Sequence, residues 1–154
     1  MLIKEDQLDK EYIHFVHYLN GTVNAGVFKG WYDDARVIKF RRYFNRVELE
    51  IQNNNMYFDK ENPLSRSSNA NVSTAILGSS QIIAEKEGKL LIGVDNLFLT
   101  EALHQITRGF VPGGGNKNPF RIGKLAKDRT KYISLKNYPE NTDLVVQYVY
   151  KSET

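Results

Sequence analysis

The stretch RVIKFRRYFNRVELEI, residues 36–51, decides the fold. Val47, Leu49 and Ile51 alternate with Glu48 and Glu50, the period of two that belongs to a half-buried β-strand. The preceding RVIKFRRYF is rich in β-branched and aromatic residues, which fit a pleated surface. Asn45 tolerates positive φ, so Asn45-Arg46 predicts a tight turn joining the two as a hairpin. Lys39 and Arg41 then fall on the face opposite Phe40 and Phe44, a solvated face over a core. After a polar Asn run, Met56, Tyr57 and Phe58 read as an extension of the second strand past a bulge.

Working outward, residues 1–10 form a polar lead-in, and YIHFVHYL (12–19) predicts a strand ending at Asn20-Gly21. Residues 20–35 are a glycine-rich loop with a short strand at Val27-Phe28. Downstream, 59–74 is a polar surface loop, and Ala75 to Gly78 is open between a helical turn and a strand. Gln81–Glu85 and Lys89–Asp95 predict a second hairpin around Lys86-Glu87-Gly88. Leu99, Leu103 and Ile106 predict a short helix over 96–106, with Asn96 as its N-cap. A loop over 109–119 precedes a third β pair, Lys131–Lys136 and Leu144–Tyr150, around the turn NYPENTD. The expected fold is mainly β: an antiparallel sandwich or strongly curved sheet with one or two short helices. It is read as a single domain over 11–150, with 151–154 a tail.

Composition narrows the function classes. A chain of 154 residues suits one ordinary domain with a real core. At 41% hydrophobic and 25% charged, it is neither disordered nor membrane-spanning. The lack of cysteine excludes a disulfide framework, a thiolate zinc site and a cysteine nucleophile. A net charge of +3 is mild for a duplex-DNA binder.

Chemistry-bearing patterns are sparse. His14 and His17 point to opposite faces of a strand and cannot readily share a metal. Glu101 and His104 would share one helix face, but one Glu-x-x-His copy in a β-rich chain lacks the further carboxylates of a di-iron site. No Gly-x-Ser-x-Gly elbow is present, and Ser65, Ser67 and Ser68 lie in a polar loop. Asp33-Asp34 reads as a turn or cap, and Gly113-Gly114-Gly115 lacks the Lys-Ser or Lys-Thr of a phosphate loop. Lys39, Arg41, Arg42 and Arg46 interleave with Phe40, Tyr43 and Phe44, yet the strand alternation argues against a nucleic-acid partner. Trp31, Tyr32, Tyr57 and Phe58 are the candidate aromatic binding surface of a stand-alone carbohydrate- or peptide-binding module.

Three longer segments carry a resemblance. ARVIKFRRYFNRVELEIQNNNMYF (35–58), AILGSSQIIAEKEGKLLIGVDNLFL (75–99) and RTKYISLKNYPENTDLVVQYVY (129–150) resemble, in order and pattern, an uncharacterised domain of large bacterial zinc-dependent metalloproteases of the met-zincin type. The last segment is the most specific, with Tyr132, Ile133, Lys136, Tyr138, Pro139, Glu140, Asn141 and Leu144 to Val146 matching the family's succession. In that family the domain precedes the catalytic domain that binds zinc. The resemblance therefore implies a non-catalytic accessory domain, a piece of a longer protein, that packs on or shapes its own downstream peptidase domain. It implies no cofactor on this chain, zinc in the parent's catalytic part, and a peptide or protein substrate for the parent. It also implies a periplasmic, outer-membrane-associated or secreted location. Tyr138, Pro139, Glu140 and Asn141 become the candidate interdomain docking residues.

Overall fold

The structure is a computed structural model that describes residues 1–23, 26–53, 59, 61–63, 74–106 and 122–151. It is mainly β and falls into two compact units: Met1–Val16 with Asp33–Gly93, and His17–Tyr32 with Val94–Thr154.

The first unit is one strongly curled six-stranded antiparallel sheet, ordered β1 (Leu2–Lys4), β6 (Lys89–Ile92), β5 (Ala75–Lys86), β4 (Arg46–Ile51), β3 (Arg36–Tyr43) and β2 (Glu11–His14). The β3–β4 hairpin forms as the alternation predicts, but the turn moves by one residue to Phe44-Asn45. The register explains the move. Phe40 faces Leu49 and Ile38 faces Ile51, apolar against apolar, whereas a turn at Asn45-Arg46 would oppose Arg42 to Leu49. Phe44 rather than Asn45 takes the positive φ (52°) and lies 95% exposed.

β5 is the long strand around which the sheet curls. Residues 75–81 pair with β4 and 82–86 with β6, and the register slips at Leu77 and again at Ile83. Such bulges raise local twist and bend the strand. The β5–β6 turn falls at Glu87-Gly88 as expected, with both residues at positive φ (51° and 69°), the signature of a two-residue turn matched to strand twist. Ala75–Gly78, ambiguous in sequence, is strand.

Residues 1–10 are more than a lead-in: Ile3 is buried, β1 closes on β6, and a 3-10 turn at Glu5–Gln7 follows. The strand expected over 12–19 stops at His14, because β3 begins at Arg36 and offers no partner beyond it.

The core of this unit is Ile3, Ile38, Val47, Leu49, Leu90 and Ile92. The opposite face of β4 departs from the expected solvated pattern, since Glu48 and Glu50 are only 5% and 3% exposed. Their charge is met locally. Arg46 Nη2 lies 2.8 Å from Glu48, Arg41 Nη1 lies 3.4 Å from Glu50, and the Tyr43 hydroxyl donates to Glu50 at 3.2 Å. Lys39 pairs with Glu11 (3.2 Å) and Arg41 also with Asp9 (3.0 Å). On the core side, Arg42 grips Glu85 with two bonds of 3.1 and 2.7 Å and reaches Glu5 at 3.9 Å, joining β3, β5 and the 3-10 turn.

The second unit holds α1 (Asp95–Phe98), β7 (Lys124–Leu125), β8 (Lys131–Asn137), β9 (Thr142–Gln147) and β10 (Tyr150–Lys151), with β7 paired to β10 and β8 to β9. The helix is one turn, not the predicted 96–106, and Val94 rather than Asn96 occupies its N-cap position. Side chains divert the backbone afterwards: Thr100 Oγ1 donates to the Asn96 carbonyl (2.7 Å), and Glu101 accepts from the Ile106 amide (3.0 Å). Buried Val27, Leu97, Leu103 and Ala126 form its apolar centre, so Val27-Phe28 serves as an anchor in a loop and not as a strand.

Two outcomes test this account. Phe44→Asn removes a bulky residue from the left-handed region without loss of burial, and should raise stability by about 0.5–1 kcal/mol in urea unfolding; a fall would show that the ring does more than cap a turn. The Glu85 carboxyl is held below its ordinary range chiefly by its bonds from Arg42. A depressed folded value gives stability that is present above the unfolded value of about 4.3 and lost as pH falls through the folded one. Thermal unfolding of Glu85→Gln should therefore change less with pH below about 4.3 than that of the parent chain.

Candidate functional site

The docking residues suggested by the sequence sit together at the β8–β9 turn. The Tyr138 amide donates to the Asn141 carbonyl at 2.8 Å, which closes the turn around Pro139 and Glu140. Asn141 Nδ2 donates to Asp143 (3.1 Å) and the Thr142 hydroxyl to Asn137 (2.9 Å), so the turn is stiffened from its own side chains. All four residues are exposed. The ribbon behind them is the β pair that the sequence predicts, but the exposure of its apolar side chains is not legible there. A slip between Tyr132 and Ser134 makes Ile133 the extra residue and brings Tyr132 and Leu135 to one face, opposite Val146 and Leu144. Ile133 and Leu135 are nevertheless 56% and 61% exposed. The alternation of Ile133 and Leu135 with Ser134 and Lys136 was the available signal, but it reads equally well as an inward face.

Phenols anchor the base of this ribbon to α1 and the segment that follows it. Tyr132 donates to Asp95 (2.9 Å), Tyr150 to Glu101 (2.7 Å), and Tyr148 to the carbonyls of Thr100 (3.1 Å) and Phe98 (3.3 Å). Burial comes first in raising all three phenols above their ordinary value; the carboxylate partners add to it for Tyr132 and Tyr150, and nearby Glu101 for Tyr148. Protonated phenols at every working pH are structural donors, not bases. His104 lies in the same region, buried, with Nε2 2.7 Å from the Tyr18 hydroxyl and the rings edge-to-face at 5.0 Å. Glu101 and His104 lie beyond the end of α1, so the helical spacing that would have paired them as ligands does not exist.

The remaining candidates separate. His14 ends β2, whereas His17 bridges Tyr32. Asp33 and Asp34 precede β3, with the Asp33 amide bonded to the Val16 carbonyl (3.0 Å). Among the described residues no group of three or more His, Asp or Glu is placed to hold a metal ion. The β3 cations Lys39, Arg41 and Arg42, with Arg46 of β4, are each ion-paired to an acid of the same unit. Among the described residues no helix is long and apolar enough to cross a membrane.

Of the aromatic set, Trp31 and Tyr32 lie on the loop of the second unit, 42% and 61% exposed, while Tyr57 and Phe58 lie outside the described residues. Trp31 has a partner that sequence did not suggest: Phe28, stacked at 5.8 Å with 29° between the planes. The loop is tied by Tyr18 N to Trp31 O (2.8 Å), Gly30 N to Tyr18 O (2.8 Å) and Trp31 N to Phe28 O (3.2 Å). Gly21 belongs to this frame, since a Cβ there would run into the Val27 carbonyl.

Tyr150→Phe should lower the stability of the second unit by about 1.5–3 kcal/mol, the usual worth of a hydrogen bond to a charged group, read by hydrogen exchange of residues 95–106. No change in exchange would remove the phenol from its anchoring role. The chain matches no protein-family model, no curated protein and no solved structure.

Proposed function

We propose that the chain is the non-catalytic accessory domain of a zinc metalloprotease-like protein and that it packs on, or shapes the cleft of, its own downstream peptidase domain. One observation carries the reading: the β8–β9 ribbon, anchored at its base by Tyr132, Tyr148 and Tyr150, leaves Ile133, Leu135 and Tyr138 in water. A two-stranded ribbon is marginal alone and gains stability when an apolar face is covered. The covering partner in this reading is the peptidase domain. The stiff Tyr138–Asn141 turn sets the angle of approach, and zinc and the substrate peptide belong to that domain. The parent's periplasmic, outer-membrane-associated or secreted location follows from the same resemblance.

The first test is the reading frame beyond Thr154. It should encode a His-Glu-x-x-His helix; a stop directly after Thr154 would refute the proposal. The second is physical. Residues 1–154 should bind the separately expressed peptidase domain, and Leu135→Glu should weaken that binding at least about tenfold while leaving the fold intact by circular dichroism. Unchanged affinity would move the interface away from the ribbon.

A further inference from the structure

We propose that Asn20 is a site of spontaneous covalent modification, converting through a succinimide to isoaspartate and aspartate, and that the isoaspartate form releases the loop held by Val27. Asn20-Gly21 is the only asparagine–glycine bond in the sequence. Glycine leaves the amide nitrogen after the asparagine bare of any side chain. Both residues are exposed, so water and hydroxide reach them. The Gly21 amide donates to Asn20 Oδ1 at 2.9 Å. With a C=O bond of about 1.23 Å, the carboxamide carbon then lies within about 4.1 Å of that nitrogen. The Cβ–Cγ torsion of asparagine is soft, and rotation about it turns the carbon toward the nitrogen, approaching the roughly 3–3.5 Å of an attack-ready pair.

The step balances with water as the only co-reactant. The Gly21 nitrogen loses its proton to hydroxide and bonds to Asn20 Cγ. The Cγ–Nδ2 bond breaks, and Nδ2 leaves as ammonia. One water then opens the five-membered ring. Opening at the main-chain carbonyl carbon leaves isoaspartate, and opening at Cγ leaves aspartate. Either product adds a negative charge, and isoaspartate also routes the main chain through Cβ, one carbon longer.

Packing makes that extra carbon consequential. A Cβ on Gly21 would run into the Val27 carbonyl and stand 3.1 Å from Phe28 N, so no larger residue can shield the bond. A longer chain just before Gly21 must move it off the Val27–Phe28 peptide. Val27 is buried, and its amide donates to the Thr22 carbonyl at 3.3 Å, one residue beyond Gly21. The site is independent of the ribbon and of any peptidase.

The test incubates residues 1–154 and a synthetic peptide of residues 11–29 side by side, in neutral and mildly alkaline buffer at body temperature. Fragmentation mass spectrometry of the tryptic peptide separates Asn20 from Asn24 and isoaspartate from aspartate. Asn20 should convert mainly to isoaspartate, at a rate proportional to hydroxide, and at least as fast in the folded chain as in the peptide. Asn20→Gln, which would need a six-membered ring, should stop conversion at this position. Hydrogen exchange of residues 26–31 should rise in the converted fraction, with that of 46–51 unchanged. No product at Asn20, or slower conversion in the folded chain than in the peptide, overturns the proposal. Conversion without faster exchange at 26–31 overturns the release of the loop.

Discussion

Burying β4 on both faces is the constraint from which the first unit follows. Val47 and Leu49 lie in the core, and Glu48 and Glu50 on the reverse face are equally shut from water. A buried carboxylate is tolerable only with a partner, because desolvation otherwise costs several kcal/mol. Arg41, Tyr43 and Arg46 answer that demand. Arg46 meets Glu48 from two residues away on β4 itself, whereas Arg41 of β3 stands opposite Glu48 and reaches the neighbouring Glu50 across the strands. Apolar pairs across the same hairpin, Phe40 with Leu49 and Ile38 with Ile51, select this alignment.

The second unit solves a different problem. Its regular elements are short, and its described apolar centre is small. Directional bonds from tyrosines take over much of the work, each phenol reaching a carboxylate or carbonyl of residues 95–101. Tyrosine suits this role because one end of the ring packs and the other donates. The consequence is a ribbon fixed at its base with apolar side chains exposed further along, and a loop fixed by Val27 with rings exposed above it. The exposed apolar side chains of the ribbon follow from the same economy of core.

Much of the β architecture was legible. Period-two alternation located β3 and β4, Glu87-Gly88 marked the β5–β6 turn, and Leu144 onward marked β9. Local signals failed where distant residues decide. β1 was hidden because one buried apolar residue, Ile3, suffices for a strand that only completes an edge. The predicted helix over 96–106 shrank to one turn because Thr100 and Glu101 bond the main chain themselves. Phe28 escaped notice because stacking on Trp31 depends on how the loop closes, which its spacing does not reveal.

By itself, the sequence determined that the chain is β-rich, which residues alternate along its central hairpin, and where Glu87-Gly88 turns β5 into β6. It also carried the ordered pattern from which a metalloprotease-associated role is proposed. Those properties are local, set by side-chain shape and by a two-residue period that neighbours along the chain suffice to express. Only tertiary structure decided that Glu48 and Glu50 are buried, that Phe44 takes the turn, and that Ile133 and Leu135 meet water. Burial and exposure depend on which strands pair and what covers each face, and these are set by residues tens of positions apart.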